Sequence, residues 1–144
     1  MSVSINLCPS KITETDMSTD FNTTAIFWQR LEGALVFIFG LVLYAQAEAE
    51  LSIWLVILAF FAPDLSFLGY TLGPKTGAVA YNIVHLYGFG AVVVMAGTFL
   101  GLPLLAALGA LWLAHTGFDR LLGYGLKSET SFDLTHLGRI GRTA

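Results

Sequence analysis

His115 and Asp119 stand four residues apart in the run HTGFD, inside a stretch that is otherwise almost wholly apolar. On an α-helix that spacing puts both side chains on one face. There they can bind one metal ion together, or the carboxylate can orient the second nitrogen of the imidazole. Tyr81, Asn82 and His85 form a second group, with Asn82 and His85 on one helical face and Tyr81 beside His85 at i,i+4. Asp64 follows Pro63. A proline within a helix removes a backbone hydrogen bond and kinks the chain, which frees carbonyl groups at the level of the carboxylate. Asp64, His85, His115 and Asp119 all interrupt segments that suit hydrocarbon, where an Asp at a helix centre costs roughly 2.5–3.5 kcal/mol. Residues kept at that cost face a bundle interior or a wet cavity and by default mark a functional site. The plainer alternative is a set of hydrogen bonds that join helices in lipid.

The elements that must position these groups follow from composition and punctuation. The 144 residues are 56% hydrophobic and 12% charged, about half the usual ~25% charged residues of a soluble domain. One domain is expected. The net charge of −3 and the lack of a basic patch argue against a nucleic-acid partner. The single cysteine, Cys8, allows no internal disulfide, and no CxxC pair is present. Residues 1–22 are polar and lack the apolar core of a signal peptide, so a flexible N-terminal tail is expected there. Four apolar stretches follow, at about 24–46, 51–70, 77–99 and 104–124, separated by AEAE (47–50), TLGPKT (71–76) and a turn at 101–103. Each is near the ~20 residues that cross a ~30 Å hydrocarbon layer, and such short connections force neighbouring helices antiparallel. The expected fold is all-α, a four-helix transmembrane bundle over residues 23–126 followed by a cytoplasmic tail at 127–144.

Lys11, Arg30, Lys75, Arg120, Lys127, Arg139 and Arg142 all belong to the two ends or the middle turn, while the first turn carries Glu48 and Glu50. By the positive-inside rule both termini face the cytoplasm. With ~1.5 Å of rise per residue, Glu32, Asp64, His85, His115 and Asp119 then share one layer, some 10 Å inside the cytoplasmic boundary. The expected ligands of a divalent metal, zinc or iron, are Asp64, His85, His115 and Asp119, with His136 folding back as a further ligand or a cap. Glu32, Asp64 and Asp119 are the candidate catalytic carboxylates. Asn82, Arg120, Tyr124 and Lys127 are the candidate substrate-binding groups. Arg120 and Lys127 flank a Gly-Tyr-Gly turn, where they could hold a phosphate or carboxylate headgroup, or could simply anchor the chain at the interface. No glycine-rich nucleotide loop, HExxH or GxSxG is present.

The strings RLEG (30–33), APDLSFLGY (62–70), Gly-Pro (73–74), YNIVH (81–85), WLAHTGFDRLLGYGLK (112–127) and THLG (135–138) resemble the DUF4260 family of small bacterial integral membrane proteins. That resemblance implies a membrane protein with no assigned activity, placed here in the bacterial inner membrane. The placing of Asp and His on several short helices is also loosely similar to small membrane-bound metal-dependent hydrolases. The expected function is a metal-dependent enzyme acting on a lipid or amphiphile. The ExxH pairs of ferritin-like di-iron bundles are missing, which favours hydrolysis over oxidation by non-haem iron. Three other readings compete. They are a proton- or cation-coupled transporter or channel subunit, which four spans would support only as a homo-oligomer, a haem- or lipid-binding bundle, and a purely structural membrane protein.

Overall fold

A computed structural model describes residues 14–140, with side chains from residue 22 onward. Helix α1 (Glu14–Gln46) is followed by α2 (Ile53–Phe61), a 3₁₀ segment (Ala62–Leu72), α3 (Pro74–Val84), α4 (Tyr87–Phe99) and α5 (Pro103–Leu122). A small antiparallel hairpin of β1 (Leu134–Thr135) and β2 (Gly138–Arg139) closes the described chain. The N-terminal tail expected through residue 22 is helical from Glu14. Its first thirteen residues, with Cys8 and Lys11, lie outside the described residues, as does Arg142.

Helix α5 is the axis of the molecule. It is buried along most of its length, from Ala106 to Arg120, against α1, α4 and α2. Glycine permits that closeness. A Cβ on Gly40 of α1 would stand 2.6 Å from the Ala114 nitrogen, and one on Gly117 of α5 would stand 2.4 Å from the Phe37 nitrogen. Gly90 and Gly97 of α4 meet α5 in the same way at Leu113 and Ala106. Small-residue seams of this kind let helices approach where lipid provides no hydrophobic drive for association. The outer surface is apolar, with Trp28, Phe39, Trp54, Leu58 and Phe99 all exposed.

Two stretches, Asn22–Gln46 and Ile53–Leu72, are long and apolar enough to cross a membrane, and the bent pair α3–α4 makes a third if it counts as one span. The chain is therefore an integral membrane protein. Two of the expected continuous helices are interrupted. The second changes winding at Ala62, because Pro63 has no N–H to donate and its ring would clash with the carbonyl four residues back; the Ala62 N–H instead bonds the Ala59 carbonyl. This 3₁₀ segment runs on to Gly73, whose φ of 115° suits only glycine. The third breaks between His85 and Leu86, with a bend of 46°. Side chains of α5 take up the carbonyls released there. Trp112 donates to Val84 O at 2.8 Å and Arg120 Nη2 approaches His85 O at 3.5 Å. Non-helical backbone at membrane depth is tolerated where protein covers it in this way.

Gly40 in the α1–α5 seam and Gly88 on an open face of α4 should respond differently to substitution. Gly40→Leu forces the helices apart and lowers stability by about 1–3 kcal/mol, the usual cost of overpacking. Gly88→Ala, where a Cβ meets nothing within 4 Å, is neutral or stabilising by up to ~1 kcal/mol. Thermal unfolding in detergent compares the two.

Candidate metal centre

Three elements deliver the polar groups. The 3₁₀ segment carries Asp64, the last turn of α3 carries Tyr81 and His85, and α5 carries His115 and Asp119. One ligand atom from each of Asp64, His85, His115 and Asp119 lies within 4.8 Å of the others. The two imidazole Nε2 atoms are 3.3 Å apart. His85 Nε2 is 3.7 Å from Asp64 Oδ1 and 3.5 Å from Asp119 Oδ2, and His115 Nε2 is 3.5 Å and 3.9 Å from the same two atoms. Ligands bound tetrahedrally at ~2.0–2.2 Å would be separated by ~3.3–3.6 Å. The cluster is thus slightly expanded from the size of a zinc-like coordination shell, and the group could hold a metal ion.

Each imidazole presents Nε2 to the cluster. His85 Nδ1 is 2.9 Å from the Tyr81 carbonyl, which accepts its proton and leaves the Nε2 lone pair free. His115 is held by shape. Phe60 and Phe61 lie edge-on to its ring at 5.3 and 6.1 Å, and its buried Nδ1 has no hydrogen-bond partner among the described residues. Asp119 accepts a hydrogen bond from the Tyr81 hydroxyl at 3.0 Å. Tyr81 also stacks on His85, with ring centroids 3.7 Å apart, and is buried. It is the residue that sequence reasoning left off the site. Its i,i+4 relation to His85 was the available signal, whereas its bond to Asp119 links two helices and has no local signature.

Asp64 and Asp119 of the cluster line a chamber of about 350 Å³ together with Phe61, Phe67, Phe118 and Tyr124, and Lys127, Phe132 and Ile140 line it too. Those last three belong to the stretch expected to be a tail. It folds back instead, anchored by α5's termination at Gly123, where Tyr124 N bonds Asp119 O at 2.8 Å and Gly123 N bonds Arg120 O at 3.1 Å. Asn82 holds it from the other side, donating to Lys127 O at 2.9 Å and accepting from Lys127 N at 2.7 Å. Asn82 therefore engages backbone where a substrate contact was expected.

Other expected site residues lie elsewhere. Arg120 is buried, donating to Tyr124 O at 3.1 Å and lying 5.6 Å from the Tyr87 ring. It braces the two helix ends and does not line the chamber. Glu32 and His136 line a separate pocket with Arg120 and Tyr87, away from the four-residue cluster. His136 Nδ1 is occupied, accepting the Leu126 N–H at 2.8 Å. Glu32 stays outside because the close α1–α5 seam turns Gly33 toward α5, and the neighbouring Glu32 is left exposed. Arg30 donates to Leu121 O at 2.9 Å. Tyr124 and Lys127 do line the chamber. Burial pushes the Lys127 ammonium below its ordinary value, partly offset by Asp119 and Asp133.

The family described as "Domain of unknown function (DUF4260)" matches residues 26–140, and the chain belongs to it. No curated protein and no solved structure matches the chain, so the looser likeness to membrane-bound metal-dependent hydrolases has no matched relative behind it.

Two predictions concern the returning segment. Asn82→Ala removes two hydrogen bonds worth ~0.5–1.5 kcal/mol each, so amide exchange rises over residues 126–139 while α5 stays protected. Burial and the nearby Arg120 hold His136 below its ordinary 6.5. The unfolded chain then binds more protons than the folded one, so this stabilisation is present above 6.5 and is lost as pH falls through the lowered value. Exchange at Leu126, corrected for its intrinsic pH dependence, increases in that window and becomes pH-independent in His136→Gln.

Proposed function

We propose that this DUF4260 member is a metal-dependent membrane enzyme that hydrolyses a lipid or amphiphile. The observation that carries the reading is the convergence of two imidazole nitrogens and two carboxylates from three separate elements, within 4.8 Å and beside a chamber. Two carboxylates balance the charge of a divalent ion, which suits a site enclosed by aromatic rings. Mixed His/carboxylate donors suit zinc, with non-haem iron the second candidate.

The side chains divide the work. His85, His115 and Asp119 are the firmer ligands, because the imidazoles are buried and Asp119 is tied to Tyr81. Asp64 is 36% exposed against 15% for Asp119 and accepts no hydrogen bond from a fixed donor comparable to Tyr81. It can leave a ligand position open and act as general base. A divalent ion supplies Lewis acidity and lowers the pKa of a bound water to ~7. Asp64 would take the proton of the attacking water and return it to the leaving oxygen as the bond to the acyl or phosphoryl group breaks. Tyr81 positions Asp119 and His85, and Lys127 and Tyr124 face the substrate.

The membrane arrangement belongs to the same proposal. In it, α5 is a fourth span sheathed by the two or three apolar ones, and the basic residues would set both termini and the centre toward the cytoplasm of a bacterial inner membrane. Membrane lipid is the partner. A haem held between His85 and His115 is disfavoured by the two carboxylates at the same nitrogens. A transport pathway would need polar groups along the whole bundle, and these cluster at one end.

Protein purified in mild detergent is expected to carry about one zinc or iron per chain by elemental analysis, and the double variant His85→Ala/His115→Ala to carry none. Tyr81→Phe retains the fold and loses about 10–100-fold in metal affinity, the usual effect of removing an outer partner of a ligand. A folded wild-type protein that takes up neither metal would overturn the reading.

A further inference from the structure

A second cavity adjoins the centre and contains none of its ligands. It is a groove of about 680 Å³ between α2, the start of the 3₁₀ segment and α5, lined by leucines from Leu51 to Leu65 and by Ala59, Leu104 and Leu108, with Phe61 also in its wall. Phe61 also lines the 350 Å³ chamber and lies edge-on to His115. The groove and the metal chamber thus share one wall. The helical part of the groove runs along α2 from Leu55 to Phe61, ~9 Å at the helical rise. Its lining is hydrocarbon, whereas the chamber presents two carboxylates and an ammonium.

That ammonium completes the pattern. Lys127 Nζ lies 4.0 Å from the Phe132 ring centroid, 5.4 Å from that of Tyr81 and 5.8 Å from that of Phe67, and among the described residues it forms no ion pair. A cation held in an aromatic cage beside an apolar groove is complementary to an anionic headgroup attached to a long chain.

We infer that the substrate is an anionic acyl lipid of the membrane, its chain lying in the α2–α5 groove and its headgroup reaching past Phe61 toward Lys127 and the four-residue centre. The inference rests on the metal-enzyme reading and names the substrate class of that site. The groove supplies little affinity, because a lipid chain is as well solvated by other lipid tails as by leucine. It contributes orientation, directing a bond near the headgroup to the metal centre, and it selects chains by fit. Lys127 supplies the preference for negative charge.

The test uses the full chain reconstituted in phosphatidylcholine vesicles doped with phosphatidylglycerol carrying a photoreactive group near the end of one acyl chain. A phosphatidylcholine probe of the same design serves as reference. Adducts mapped by mass spectrometry are expected at Leu51, Leu55 and Leu104, with the anionic probe enriched about fivefold over the neutral one, the effect of one cation on an anionic lipid. Trp54 and Phe99, on the outer surface, are labelled equally by both. Ala59→Trp, which fills the groove, abolishes the groove adducts and preserves metal content. Leu55→Trp, at a half-exposed site, does the same should Ala59→Trp fail to fold. Lys127→Gln removes the charge preference and leaves the groove labelled. Equal labelling of the groove by both probes would overturn the inference, as would crosslinks there to a second copy of the chain. Groove adducts with the anionic preference in a protein that binds no metal would sink the enzyme reading alone.

Discussion

Everything in this molecule depends on how closely α1 and α4 approach α5. The central helix carries His115, Asp119 and Arg120, groups that hydrocarbon would not accept, and it is sheltered because glycines on both neighbours bring backbone against backbone. A helix that could not face lipid alone thereby becomes an internal axis. Its sheath can be almost wholly apolar because the polar chemistry is confined inside. The same seam decides which acidic residues belong to the centre. It sets Gly33 against α5 and leaves Glu32 outside.

The centre is an electrostatic problem with a small number of solutions. Two carboxylates and two imidazoles lie within 4.8 Å of one another, and two imidazole nitrogens at 3.3 Å need a proton or a cation between them. A divalent ion is one cation that could meet that demand. Tyr81 is central to the arrangement because it touches both kinds of ligand, stacking on His85 and donating to Asp119. The returning C-terminal segment completes the enclosure by bringing Lys127 into the chamber that Asp64 and Asp119 also line.

The helical character and the four side chains that converge were legible in the sequence because each has a local signature: apolar length, and ionisable side chains where hydrocarbon should be. The broken windings were less visible. Pro63 announces a disturbance but does not say that 3₁₀ winding will persist to Leu72, and the break at His85–Leu86 has no proline at all. It is stabilised by Trp112 and Arg120 from α5, partners distant in sequence. His136, expected as a further ligand or a cap, and Asn82, expected to bind substrate, are each engaged with backbone of the 126–127 turn, a partnership with no local signature. Two-residue strands are too short to show the alternation that would have revealed the hairpin.

The 3₁₀ segment also alters the length of its span. At ~2.0 Å of rise per residue against ~1.5 Å in an α-helix, the eleven residues Ala62–Leu72 extend about 5 Å further than they would if α-helical. Hydrophobic mismatch acts on just such differences, at fractions of a kcal/mol per Å. A thinner bilayer favours the shorter α-helical winding of the segment that carries Asp64, and a thicker one favours the longer 3₁₀ form. The thickness of the surrounding membrane is thereby coupled mechanically to the position of one carboxylate in the centre.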